Sequence, residues 1–179
     1  AAAGGVGQIF CQWAKSLGCT VIGTVGSEEK IKIAKKFGCD HVINYSKDDF
    51  QKKVMEITNE EGLPVVYDGV GKVTMEKSLG CLKMRGTFVS FGNASGKLDP
   101  LDVGKLIAPK GLFLTRPSIA HYTATRKELD EAADKLFEMV KTQKVKIDIF
   151  KKYGLKDAVN AHKDLEGRKI IGPAIIVPN

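Results

Sequence analysis

Short β-branched runs alternate with amphipathic helical stretches along nearly the whole chain, and this rhythm admits few folds. Val6, Ile9, Phe10, Trp13, Ala14 and Leu17 recur at helical spacing and stop at Gly18, a C-terminal cap. Residues 19–25 then read as a buried strand, with Ser27 as the N-cap of the next helix. That helix opens on Glu28 and Glu29, suited to its positive end, and presents Ile31, Ile33, Ala34 and Phe37 on one side. Further strands are expected at 41–44, 64–67, 86–91, 112–115, 145–150 and 174–177, and helices near 47–58, 73–82, 127–142 and 155–165. Strand and helix in turn predict a doubly wound α/β fold, Rossmann-like, with one parallel sheet covered on both faces and one core.

The first strand of such a fold is missing. Ala2, Gly4 and Gly7 fit the pattern A-x-G-x-x-G at the start of the first helix, and a strand should deliver the chain into that turn. Only three alanines precede Gly4, so the chain reads as a cut from a longer one, truncated before or within its first strand. The pattern carries its own chemistry. The middle glycine lets backbone approach a pyrophosphate and the last lets the helix lie close to the sheet, while the helix N-terminus supplies free N–H donors and partial positive charge.

A carboxylate normally ends the second strand of an NAD-binding domain and accepts the ribose 2′-OH. Here that place reads Thr24-Val25-Gly26-Ser27. Its absence permits a 2′-phosphate, to which Ser27 and Lys30 can donate. Glu28 and Glu29 argue the other way unless they serve only the helix dipole. The balance favours NADPH.

Composition narrows the remaining classes. Hydrophobic residues at 43% and charged residues at 27% are ordinary for a globular chain. No stretch approaches the roughly 18 apolar residues of a membrane span, so no membrane partner is expected. Cys11, Cys19, Cys39 and Cys81 contain no C-x-x-C pair, which speaks against zinc and for reduced thiols in the cytoplasm. Ser90, Ser95 and Ser118 lack the setting of a nucleophile elbow, and the three histidines stand in no hydrolase or metal motif. Residues 141–179 carry nine Lys/Arg against four Asp/Glu, a basic region able to meet phosphates of a nucleotide or of RNA. No RNA-recognition signature accompanies it.

Several short motifs, taken in order, resemble the quinone oxidoreductases, the zeta-crystallin-like branch of the zinc-free medium-chain dehydrogenases/reductases. They are residues 1–7, 23–30 (GTVGSEEK), Asn44-Tyr45, 67–71 (YDGVG), 90–96 (SFGNASG), Thr115-Arg116-Pro117, Ala161-His162, Leu165-Glu166 and Arg168. The resemblance implies an NADP-binding domain over 1–179, preceded by a GroES-like catalytic domain to which about 169–179 would return. It implies hydride transfer from NADPH to a quinone or another activated acceptor, with catalytic residues unassigned in this chain. It implies a pyrophosphate over Gly4, Gly5 and Val6, and 2′-phosphate contacts from Lys30, Tyr45 and Arg168. Gly26 and Ser27 match positions beside the adenosine ribose. Val70, Phe91, Gly92, Asn93, Thr115, Arg116 and Pro117 match loops on the ribose and nicotinamide side. Asp68 reads as a turn-forming carboxylate.

The same resemblance implies a homodimer through the edge strand near 111–116. The family also includes a lens structural protein and members that bind RNA, which keeps a binding role open as the alternative. One departure stands out: Ile171-Gly172-Pro173 replaces a pattern with lysine after the glycine, so the last strand is expected to be displaced or frayed.

Overall fold

The computed structural model describes residues 1–167 and 169–178. In chain order its elements are α1 (Gly5–Ser16), β1 (Ile22–Val25), α2 (Glu28–Lys36), β2 (His41–Asn44), α3 (Phe50–Ile57), β3 (Leu63–Asp68), α4 (Met75–Gly80) and β4 (Leu82–Ser90). There follow α5 (Val103–Leu106), β5 (Phe113–Thr115), α6 (Ile119–Tyr122), α7 (Arg126–Lys141), β6 (Lys151–Gly154), α8 (Ala158–Glu166) and β7 (Ala174–Val177). Two single 3-10 turns lie at Ala108–Lys110 and Leu155–Asp157. The chain divides into two compact units, one made of Ala1–Lys47 with Ala133–Asn179 and the other of Asp48–Ala132.

In the first unit β1 and β2 run parallel, from Ile22 opposite His41 to Val25 opposite Asn44. Ala2, Ala3, Cys11, Val21, Val25, Ala34 and Cys39 form the core between these strands and their helices. The helix α1 ends as expected: Gly18 takes φ +81°, and Cys19 N–H reaches back to the Ala14 carbonyl at 3.1 Å. Lys15 pairs with Asp40, whose other oxygen accepts from Val21 N–H at 2.9 Å and so ties α1 to the start of β1.

The strand expected at 145–150 does not form, which corrects the periodicity reading. The Gln12 amide occupies both hydrogen-bonding groups of Lys146, donating to its carbonyl at 2.9 Å and accepting from its N–H at 2.9 Å. The strand lies farther on as β6, which pairs in parallel with β7 from Lys151–Ala174 to Gly154–Val177. The last strand is therefore paired, not frayed. Its side chains remain exposed.

In the second unit the order is β3-β4-β5, all parallel. Met75, Leu79, Leu82, Phe88 and Leu112 make its core, with Phe88 and Leu82 fully buried. Each unit thus has a buried cluster of its own. β4 starts four residues earlier than expected and contains an irregularity: Arg85 has φ +58°, and the pairing register shifts between Leu63 and Val65. The expected parallel α/β fold is found, its described strands hydrogen-bonded as three parallel ladders. β1 ends one of them and β3 ends another, with Ala2 N–H reaching the Thr24 carbonyl at 3.0 Å beside β1.

Candidate functional site

The glycine turn divides its labour in a way the bare motif does not reveal. A Cβ on Gly7 would stand 2.3 Å from the Ala1 carbonyl oxygen and 2.7 Å from that of Ala2, so only glycine lets α1 lie against the incoming chain. Gly4 is different. Its φ of −77° suits any residue, and a Cβ there would make only an ordinary 3.5 Å contact with Ala1. Gly5 also has room, 3.6 Å from Pro173. Packing within the unit therefore does not require glycine at these two positions, whereas a ligand lying over the turn does. The amides of Gly5, Val6 and Gly7 open the helix and have no acceptor four residues back inside it, and Val6 is exposed.

In the same unit the chain leaves β1 and β2 at their carboxyl ends, where parallel α/β sheets bind ligands. A Cβ on Gly26 would meet the Tyr45 hydroxyl at 2.6 Å, so the Tyr45 ring lies directly across Gly26. Ser46 Oγ donates to the Gly26 carbonyl at 2.9 Å and fixes the turn. Ser27 is the N-cap of α2 by position, yet its side chain makes no capping bond, which corrects the expected role and leaves the hydroxyl available. Lys30 lies one turn on and forms no ion pair among the described residues. Glu28 does not confront this cluster as a bare charge: it accepts from Asn44 Nδ2 at 2.8 Å and pairs with Lys47 at 3.1 Å. The Asn44 hydrogen bond, and then Lys47, hold its carboxyl below the ordinary range. Arg168 falls outside the described residues.

The second unit presents its candidates on the loops after β3, β4 and β5, again at the carboxyl ends of parallel strands. Asp68 organises the first loop. It is 5% exposed; Oδ1 accepts from the N–H groups of Val70 (2.8 Å) and Gly71 (2.9 Å), and Oδ2 from the hydroxyls of Thr74 (2.7 Å) and Ser78 (2.8 Å). Every acceptor position is engaged in holding the turn. The loops at 69–74 and 91–96 are then laced together: Ala94 N–H donates to the Gly69 carbonyl, while Ser95 N–H and Oγ both donate to that of Val70. Glycine permits the crossing, since a Cβ on Gly92 would sit 2.6 Å from the Gly69 oxygen and one on Gly69 2.7 Å from the Phe91 ring.

Arg116 is anchored at the end of this lacing. Its Nη1 donates to Ser90 Oγ at 3.0 Å and to the Ser90 carbonyl at 3.3 Å, and Ser90 itself is 1% exposed. The Asn93 amide, oriented to pair both its ends, donates to the Gly92 carbonyl at 2.8 Å and accepts from Arg116 Nη2 at 3.3 Å. Phe91, Arg116, Pro117, Ser118, Ile119 and Tyr122 line an open cleft of about 850 Å³. Sequence reasoning missed the anchoring role of Ser90 and the lining by Ser118, Ile119 and Tyr122. A buried serine next to Phe91-Gly92-Asn93 was the available signal for the first. Nothing periodic marks a four-residue helix such as α6.

A glycine turn opening a helix, with candidate loops at the carboxyl ends of parallel strands, defines a dinucleotide-binding domain. The chain belongs to the zinc-binding dehydrogenase family, whose model matches residues 5–140. It is 47% identical over 179 residues to the 2-haloacrylate reductase of a Burkholderia species, covering 99% of this chain and 54% of that one. It is also 47% identical over 180 residues to quinone oxidoreductase 1 of Escherichia coli K12, covering 99% and 55%. The crystal structure of Escherichia coli quinone oxidoreductase complexed with NADPH superposes with a TM-score of 0.95, at 47% identity, over 99% of this chain and 55% of that one. The chain thus spans about half the length of the curated relatives it matches. Despite the family's description, no three His, Cys, Asp or Glu side chains converge on a metal-sized site among the described residues. No described helix is long and apolar enough to cross a membrane.

Proposed function

We propose that the protein carrying this chain is an NADPH-dependent reductase of quinones and related activated acceptors, and that residues 1–179 are its NADP-binding domain. One observation supports this most: Gly4 and Gly5 are glycines that the unit's own packing does not demand, at the open end of α1. NADPH, when bound, supplies the hydride. Gly4, Gly5 and Val6 lie under its pyrophosphate, to which the amides of Gly5 and Val6 donate, the Gly4 amide being held by the Ala1 carbonyl at 3.2 Å. Gly26 and Ser27 border the adenosine ribose, and Lys30, Tyr45 and Arg168 hold the 2′-phosphate. Val70, Phe91, Gly92 and Asn93, with Thr115, Arg116 and Pro117, border the nicotinamide half. The reading further places a GroES-like catalytic domain before residue 1, with about 169–179 returning to it, and the protein in the cytoplasm.

The exposed edge strand supports a homodimer. All three residues of β5 are exposed, Phe113 by 61% and Leu114 by 45%, and β5 ends its sheet. An apolar edge strand invites pairing with its own copy across a two-fold axis.

The reductase reading is tested by following NADPH consumption by the full-length protein with 1,4-naphthoquinone. Acceptor-dependent oxidation is expected, with NADH a poorer donor. Coenzyme oxidation that no quinone or enone accelerates would contradict it.

A further inference from the structure

We propose that Cys11 and Cys39 form a dithiol modification site, which a small hydroperoxide such as hydrogen peroxide oxidises to an intramolecular disulfide that clamps α1 to the chain entering β2. The two sulfurs lie 3.4 Å apart on residues 28 positions apart in the chain, and Cys11 is 4% and Cys39 6% exposed. Neither cysteine lies in the loops assigned to the coenzyme, and the chemistry requires no turnover. The backbone around the pair is already close: a Cβ built on Gly38 would stand 3.3 Å from the Cys11 carbonyl oxygen. Gly23 on β1 completes the site, because a Cβ there would stand 2.6 Å from Cys39 Sγ, and its absence is what admits the sulfur. From that contact, side-chain rotation and a small approach of α1 bring the sulfurs to bonding distance.

The hydrogen bond between the thiols separates their roles. Cys39 Sγ donates to Cys11 Sγ, which holds the Cys11 thiol below its ordinary range, while the same bond and then burial push the Cys39 thiol up. Cys11 is therefore the sulfur that reaches the thiolate form first and attacks the peroxide. An S–O bond forms as the O–O bond breaks, giving the sulfenic acid of Cys11 and a hydroxide that leaves as water with the thiol's proton. Cys39 then attacks the oxidised sulfur: the S–S bond forms, the S–O bond breaks, and the Cys39 proton departs with that oxygen as a second water. The two thiols give up two electrons and two protons, and hydrogen peroxide is reduced to two waters. Cys19, the other cysteine of this unit, is exposed, so the sulfenic acid formed in the core meets Cys39 first. The product closes a loop that contains β1 and α2, and that constraint disfavours the unfolded chain.

The test exposes the native full-length protein, and its Cys19→Ser variant, to hydrogen peroxide, then alkylates the remaining thiols with iodoacetamide in denaturant before tryptic digestion. Mass spectrometry should find the peptide carrying Cys11 joined to the one carrying Cys39, in both proteins, as the main product at this pair, and dithiothreitol should return both as free thiols. The oxidised protein should melt several degrees above the same protein reduced, and Cys39→Ala should show no such rise. Cys11 and Cys39 both alkylated after Cys19 has been oxidised, or Cys11 carried on to sulfinic acid while Cys39 stays free, would overturn the proposal. A linked pair that leaves the melting temperature unchanged, or an equal rise in Cys39→Ala, would refute the clamp. Should Cys39→Ala fail to fold, the linked peptide and the melting shift of the wild-type protein decide the question alone.

Discussion

Removing the Asp68 carboxylate separates a turn-holding role from a catalytic one. Four donors converge on it, two backbone amides on Oδ1 and two hydroxyls on Oδ2. Asp68→Asn keeps an oxygen for the amides of Val70 and Gly71 and turns the other atom into a donor. The Thr74 and Ser78 hydroxyls can rotate to accept, and Thr74 already has the Gly71 carbonyl at 3.2 Å as a second acceptor for its proton. The cost is the lost charge assistance, about 2 kcal/mol. Asp68→Ala instead leaves two amides of a buried turn without an acceptor, at about 1–3 kcal/mol each, or roughly 4 kcal/mol in all. Urea unfolding of the full-length protein should therefore show a modest fall in midpoint for Asn and about twice that for Ala. The folded fraction of the Asn variant should keep a near-normal kcat. An unchanged midpoint accompanied by lost kcat would refute this account and make Asp68 a reacting group.

Other substitutions probe the remaining parts. Gly7→Ala, which drives a Cβ into two backbone carbonyls, should destabilise the protein by about 1–3 kcal/mol or more, whereas Gly4→Ala should leave thermal stability within about 1 kcal/mol and weaken NADPH instead. Equal effects of the two on stability, seen by thermal melts, would contradict the division of labour in the turn. Phe113→Lys should give a monomer that retains NADPH affinity; a dimer surviving it in sedimentation puts the interface elsewhere. Burial pushes the Cys81 thiol up to about 12. Its unfolded counterpart ionises near 9.0, so the stability it contributes is complete below that pH and is lost as the pH rises toward 12. Iodoacetamide at about pH 8 should accordingly label exposed Cys19 in the native protein and spare Cys81 until unfolding; early labelling of Cys81 by mass spectrometry would contradict its burial.

The strands at 41–44 and 174–177 were legible to the residue because each holds adjacent β-branched residues between turn signals. The β6 segment was not. Its sequence, Lys-Lys-Tyr-Gly, carries no apolar alternation, while in the more strand-like run before it both backbone groups of Lys146 are taken by Gln12. The glycine motif located the candidate ligand turn but could not say which glycine serves packing and which leaves space, because that depends on how close Ala1 and Ala2 lie to Gly7. Arg116 was identified by resemblance. Its anchoring by Ser90 and Asn93 joins residues 23 to 26 positions apart and has no local signature. α5 and α6 are too short to show a helical period, and with α6 went two of the six residues that line the cleft.

The central claim, that the end of β1 and the start of α2 hold a 2′-phosphate, is tested most directly by calorimetric titration of the full-length protein and its Lys30→Ala variant with NADPH and NADH. Loss of one charge-assisted phosphate contact costs about 1.5–3 kcal/mol, or roughly tenfold or more in affinity. The account predicts that wild-type protein binds NADPH more tightly than NADH and that Lys30→Ala weakens NADPH by that factor while leaving NADH nearly unchanged. Equal wild-type affinity for the two coenzymes, or an equal loss of both in the variant, would contradict it.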